Sequence, residues 1–170
     1  MPGSSIVRLI RRRRSVRRFL PRTLTDSAVK KILDAGRWAP SGLNNQPWRF
    51  VVVRNATLKD AIARCTEYSF IIKGCPCVLL VYLDKHHSYH LLKDAQAIGA
   101  CIQNMLLCAC ELGIGSCWMG EILNQKRKVS ALLRLGGRYE LMAAVALGYG
   151  RATSRSRRKS LRGLLIKEYR

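Results

Sequence analysis

The sequence predicts a single mixed α+β domain, one sheet covered by helices, and three features of the chain carry that expectation. Apolar residues make up 48% of the 170 positions and run through the middle of the chain, enough to bury one sizeable core. The runs RFVVV (49–53), CVLLVYL (77–83) and ELMAAVALGY (140–149) have the length and composition of core strands. Between them lie segments with helical spacing. The resulting order is helix, helix, strand, helix, strand, long helix, strand, helix, strand, tail.

Each element has a local cause. Ser4 or Ser5 is the candidate N-cap of a first helix that passes through Ile6, Val7 and Ile10 into the arginines, in a pattern that Pro21 interrupts. Thr25 caps DSAVKKILDAGRWA (26–39), where Val29, Ile32, Leu33 and Gly36 recur at helical spacing. APSGLNNQPW (39–48) is a long polar loop leading into the first strand. LKDAIARCTEY (58–68) reads as a helix, and NQKRKVSALLRL (124–135) as an amphipathic one. GIGSCWMG (113–120) is a glycine-punctuated turn and short strand. The main domain spans residues 1–150, and after Gly150 the composition shifts to Arg and Ser in a basic tail, 151–170.

The long helix from Leu91 to Leu112, ended by Gly113, has only Lys93, Asp94, Gln96, Gln103, Asn104 and Glu111 as clearly polar groups. A helix that apolar must be covered on most of its faces, more than one small domain readily provides. A homodimer packed through this helix is the expectation.

The formal net charge is +21, and it is concentrated at the ends. Residues 1–22 carry eight Arg and no acid; residues 151–170 carry eight Lys or Arg and one Glu. RRRRSVRR (11–18) alone holds six arginines. Such ends attract polyanions. Interleaved aromatics for base stacking are missing, since Phe19 is the sole aromatic of the first 22 residues and Tyr169 the sole one of the tail, so nucleic acid is the less favoured partner. Seven cysteines among apolar neighbours suit reduced, buried thiols, and neither a signal-peptide core nor a membrane-length apolar run stands in the sequence. A soluble cytoplasmic protein is expected.

Three stretches point to ligand chemistry. Arg13, Arg14, Ser15 and Arg17 place cationic forks and a hydroxyl within five residues at a helix end, which suits a phosphate; Val16 among them suggests a packed segment. If the helix continues, Arg13 and Arg17 share a face. The loop Pro40, Ser41, Gly42, Leu43, Asn44, Asn45, Gln46 offers a hydroxyl and three amides, whose paired donor and acceptor edges suit a heteroaromatic ring with alternating C=O and N–H groups. GIGSCWMG lacks the spacing of a dinucleotide fingerprint, and its glycines suit close approach of backbone to a flat ligand. Cys75, Cys77, His86, His87 and His90 lack zinc-finger spacing, so no metal is expected, and no Ser-His-Asp arrangement is present.

RRSVRRF (13–19), AGRWAPSGLNNQPWRFVVV (35–53), CPCVLLV (75–81), DAQAIGACIQNMLLCACELGIGSCWMG (94–120) and AVALGYG (144–150) together resemble the nitroreductase family of FMN-dependent NAD(P)H oxidoreductases, especially its short members. The resemblance implies a nitroreductase-like fold with a mostly antiparallel central sheet, an intertwined homodimer, and two FMN sites built from both subunits. By position, Arg13, Arg14, Ser15 and Arg17 match the family's FMN-binding run: Arg13 and Arg14 would face the phosphate and ribityl chain, and Arg17 the pyrimidine edge. Pro40, Ser41, Gly42, Asn44 and Gln46 would come from the other subunit. Trp118, Met119 and Gly120 would lie over the flavin, and Arg158 and Lys159 of the tail would meet the phosphate. The implied mechanism is ping-pong transfer of hydride from NADH or NADPH through flavin N5 to a nitroaromatic, quinone or similar acceptor, with no catalytic side chain. The short chain leaves little room for a helical insertion over the substrate, which implies an open pocket. Competing expectations are a polyanion-binding protein on the same scaffold and a flavin-modifying member of the family.

Overall fold

The computed structural model describes residues 5–150 and 156–170. Four strands form one sheet: β1 (Trp48–Val53), β2 (Cys77–Asp84), β3 (Gly115–Met119) and β4 (Tyr139–Gly148). Their order is β1-β2-β4-β3 and every neighbouring pair is antiparallel. All eight residues of β2 are buried, because helices cover both faces of the sheet; that is why its sequence is a continuous apolar run and not an alternating one.

Leu79, Val81 and Leu83 share a core with α2 (Asp26–Arg37) and α5 (Leu91–Glu111). The alternate residues Val78, Leu80 and Tyr82 share a second core with α3 (Ala56–Ala63), α4 (Ser69–Gly74) and α6 (Lys126–Leu132). The period-two alternation of a strand thus divides one apolar run between two cores.

Thr25 caps α2 as its position predicts, its hydroxyl accepting from Ala28 N at 3.2 Å. α5 has 21 residues and, at about 1.5 Å per residue, is roughly 30 Å long. It ends where expected: Gly113 takes φ +70°, and Ile114 N turns back to donate to Ala109 O at 2.8 Å. Cys101, Ile102, Met105 and Ala109 are fully buried, whereas Leu91 and Leu92 at its start are exposed and Gly99, Gln103 and Leu107 are half-buried. Its own domain leaves part of α5 uncovered.

Three local expectations change. α1 (Ser5–Arg12) stops at Arg12, well before Pro21, because the next residues go extended and bond to β3: Val16 N donates to Ser116 O at 2.9 Å. The short helix α4 comes in addition to the expected elements; the adjacent Ile71 and Ile72 are both buried, a pair too short to show helical period in the sequence. α6 is preceded by a 3₁₀ turn at Glu121–Gln125, which takes the first residues of the expected helix. The candidate N-cap at Ser4 or Ser5 lies outside the described side chains.

One carboxylate closes the end of the sheet. Asp84, fully buried at the end of β2, accepts from Arg138 Nε and Nη2 at 2.7 Å each; Arg49 Nη2 lies at 3.0 Å and His87 Nδ1 at 2.9 Å. The Arg138 guanidinium, with help from His87 and His86 N, holds this carboxyl well below the usual carboxylate range against the opposing effect of burial.

Candidate functional site

The arginine run changes character at Arg13. The chain past Arg13 lies beside the start of β3, where Ser15 and Ser116 form a parallel bridge. Val16 is buried against Gly115 and so packs as its place among charges predicts. Helical spacing does not carry from Arg13 to Arg17, because α1 ends at Arg12, but both still act on one group. Both reach toward the Cys117 thiol, whose pKa burial pushes up while Arg17 and Arg13 pull it back. Neither arginine forms an ion pair among the described residues. Two guanidiniums without an acidic partner and the Ser15 hydroxyl on one short segment are the donor chemistry an anion calls for.

Arg14 and Arg12 turn the other way. Arg14 donates to the carbonyls of Arg11 and Arg13, the latter at 2.8 Å, and Arg12 pairs with Glu111 at 3.3 Å and donates to Cys110 O. With Val16, Ser116 and Gly150 they line a separate cavity of about 190 Å³. The Arg12–Glu111 pair fastens this segment to the C-terminal end of α5.

The second half of the candidate site lies at the other end of that helix. A 3₁₀ turn at Gly42–Asn44 forms the loop, and Leu43, Asn44 and Gln46 have φ of 54°, 52° and 45°. Three left-handed residues that are not glycine in one short loop are a concentration of backbone strain. Gly42 is needed for another reason: a Cβ there would sit 1.8 Å from Tyr89 Oη. Gln46 N donates to Ser41 Oγ at 3.0 Å, and Gln46 Nε2 to Asn44 O at 3.2 Å. Pro40, Asn44 and Gln46 are exposed, and Ser41 is half-buried.

What holds this loop is Asn45, flanked by the residues named as candidates. Its Nδ2 donates to Asp94 Oδ1 at 2.7 Å and to His87 O at 2.8 Å. Asp94 sits in the first turn of α5, fully buried. The sequence signal for it was a lone acid in the first turn of an otherwise apolar helix, which also suits the positive end of the helix dipole.

Trp118, Met119 and Gly120 end β3 between these two regions. Trp118 is partly exposed, with its ring edge 3.8 Å from where a Cβ on Gly99, in the middle of α5, would stand; Met119 is buried and Gly120 exposed. In the tail, Ser160 caps a turn at Leu161–Gly163. Arg158 donates to Ser156 Oγ and Arg157 O, and Lys159 is exposed; no hydrogen bond or ion pair joins them to Arg13 or Arg17 among the described residues. No group of three metal-ligating side chains occurs among the described residues.

The chain is an α+β protein with a four-stranded antiparallel sheet and two candidate binding segments, one fastened at each end of α5. The family model described as "Nitroreductase family" matches residues 10–67 and 59–149, and the chain belongs to that family. A protein of Archaeoglobus fulgidus, provisionally named a NADH dehydrogenase/NAD(P)H nitroreductase, is 33% identical over 147 residues, 84% of each chain. A crystal structure from Desulfovibrio desulfuricans, described as a provisional nitroreductase in complex with FMN, superposes with TM-score 0.95 at 43% identity over 98% of both chains. The structure of a Parabacteroides distasonis protein has the same fold, with TM-score 0.89 at 22% identity, covering 98% of this chain and 99% of that one.

Proposed function

We propose that this protein is an FMN-dependent oxidoreductase that takes electrons from NADH or NADPH and passes them to a small acceptor of the nitroaromatic or quinone type. The observation that carries the reading is the placement of two complementary half-sites at opposite ends of α5. Arg12, just before Arg13, Ser15 and Arg17, pairs with Glu111 at its C-terminal end, and the amide loop is fastened at its N-terminal end; the helix between these two anchors is roughly 30 Å long. A single copy anchors them at different ends of the helix. Two copies packed antiparallel across α5 would place the loop of one beside the arginines of the other, and the isologous symmetry of such a dimer would make two equal sites. Exposed Trp38, Leu43, Leu91 and Leu92 around the loop and the start of α5 supply apolar surface for that contact.

The residues present fit FMN. Unpaired Arg13 would take the phosphate with Ser15, and Arg17 would stand as the cation near the pyrimidine edge, where it favours negative charge on the ring. Arg14 would have to leave the carbonyls of Arg11 and Arg13 to join the same phosphate. Pro40, Ser41, Gly42, Asn44 and Gln46 of the second copy would line the ring edge with amide and hydroxyl groups. Trp118, Met119 and Gly120 would cover it, and tail residues Arg158 and Lys159 would add cations at the phosphate. Bound FMN supplies the two-electron chemistry at its N5, so the chain contributes orientation and electrostatics and needs no acid or base of its own. We assign the chain one domain, 1–150, with 151–170 as its basic tail, and a cytoplasmic setting in which its free thiols stay reduced.

The test is optical. Protein reconstituted with FMN is expected to keep a flavin absorption spectrum through gel filtration, to bleach with NADH or NADPH without oxygen, and to recover with a quinone. A colourless protein after reconstitution would overturn the reading.

A further inference from the structure

We propose that Asp94 is a positioning residue which, with Asn45, clamps the strained loop 41–46 in its binding shape and so sets FMN affinity without touching the cofactor. The inference rests on the flavin reading above.

Asp94 is fully buried and meets donors from two segments. Its Oδ1 accepts from Asn45 Nδ2 at 2.7 Å. Its Oδ2 accepts from Ser88 Oγ at 2.6 Å, Tyr89 N at 3.1 Å and His90 N at 3.2 Å. Every one of these donors is neutral, so dipoles and not a counter-ion hold the charge in place. Burial alone would push the pKa of Asp94 up; the hydrogen bonds from Ser88, Asn45, His90 and Tyr89 together bring it below the usual range. An ionised acceptor makes each bond strong.

Both pins on the loop converge on this carboxylate. The first is Asn45, whose amide is turned so that Nδ2 faces Asp94 and His87 O although its own Oδ1 is left buried without a partner. The amide is therefore aimed by its acceptors. The second is Tyr89, whose backbone N–H is bound by Asp94 and whose hydroxyl lies where a Cβ of residue 42 would be. Between these pins stand Leu43 and Asn44, and just beyond them Gln46, all with positive φ. Strained backbone of this kind persists only where its surroundings over-determine it. Other bonds, from Gln46 N to Ser41 Oγ and from Arg49 to Gln46 O, close the loop on itself or on β1; the Asn45–Asp94 bond fastens it to α5. A loosened loop would have to be ordered again at each binding event, and the cost would appear as weaker binding.

The test compares wild type, Asp94→Asn, Asn45→Ala and the double variant by two measurements. Hydrogen exchange, read on protein without FMN, should run at least about tenfold faster for amides 41–46 in Asp94→Asn while the amides of β2 keep their protection. Equilibrium titration with FMN should give about tenfold weaker binding for Asp94→Asn and a loss in the same direction for Asn45→Ala. The double variant should bind no more weakly than Asp94→Asn by more than about twofold, because the two residues act through one bond. If Asp94→Asn does not fold, Asn45→Ala carries both measurements alone. Unchanged exchange in the loop, equal acceleration in loop and β2, or strictly additive losses would each overturn the clamp while leaving the flavin reading intact. A wild-type protein that takes up no FMN would overturn the flavin reading and the affinity claim with it.

Discussion

Asp84 and Asp94 are both fully buried carboxylates, both sit at the edge of a regular element, and both are held below the ordinary carboxylate range. Their partners separate them. Asp84 is neutralised by two guanidiniums, is hydrogen-bonded to His87, and ties together the ends of β1, β2 and β4. Asp94 has only neutral donors and ties a strained loop to a helix. Burial and a lowered pKa mark both; what each carboxylate is fastened to tells them apart.

The largest expected effect separates the two. Asp84→Ala leaves Arg138 and Arg49 facing each other without their shared anion, and breaking a buried pair in this way costs about 3–5 kcal/mol. Both arginines retain more than a third of their side-chain surface and can rehydrate, which places the expected loss near ~3 kcal/mol. Urea unfolding should show that loss, while FMN affinity of the remaining folded protein stays within about twofold. A tenfold loss of FMN affinity in Asp84→Ala, at a temperature where it is folded, would erase the distinction between the two sites.

A smaller effect concerns acid. Each carboxylate has a folded pKa lower than its unfolded value of about 3.9, so its contribution to stability is whole above that pH and is lost as the pH falls toward the folded value. The urea midpoint should therefore hold level from neutral pH to about 5 and drop below about 4. Asp84→Asn should flatten that drop more than Asp94→Asn does. Stability that rises on acidification would contradict both assignments.

Much of the fold was legible because its signals are local and repeated. β2 is apolar at every position down to Leu83 because it is buried on both faces, and Thr25 and Gly113 mark helix ends through backbone requirements that few residues meet. Local sequence extends α1 too far because residues 14 to 18 have no intrinsic reason to leave a helix; the bond from Val16 to Ser116, about a hundred residues away in sequence, draws them out of it and onto β3. α4 was invisible for the same kind of reason, since six residues are too few to show a period. In the candidate site, Arg13, Ser15, Arg17 and the amide loop stand out by their side-chain chemistry alone. Asn45 looked like one more loop amide, and its distinct role depends on Asp94, 49 residues further along, reaching it through the fold.

The uneven fate of the arginines completes the same lesson. Arg12 and Arg14 are engaged with Glu111 and with backbone carbonyls, whereas Arg13 and Arg17 stand beside β3 without an acidic partner among the described residues. The most direct test of the central claim is FMN titration of the Arg13→Ala, Arg17→Ala double variant, followed by sedimentation to establish its assembly. At least a hundredfold weaker FMN binding by a protein that still sediments as a dimer is expected. Unchanged FMN affinity would contradict the placement of the flavin phosphate on this segment.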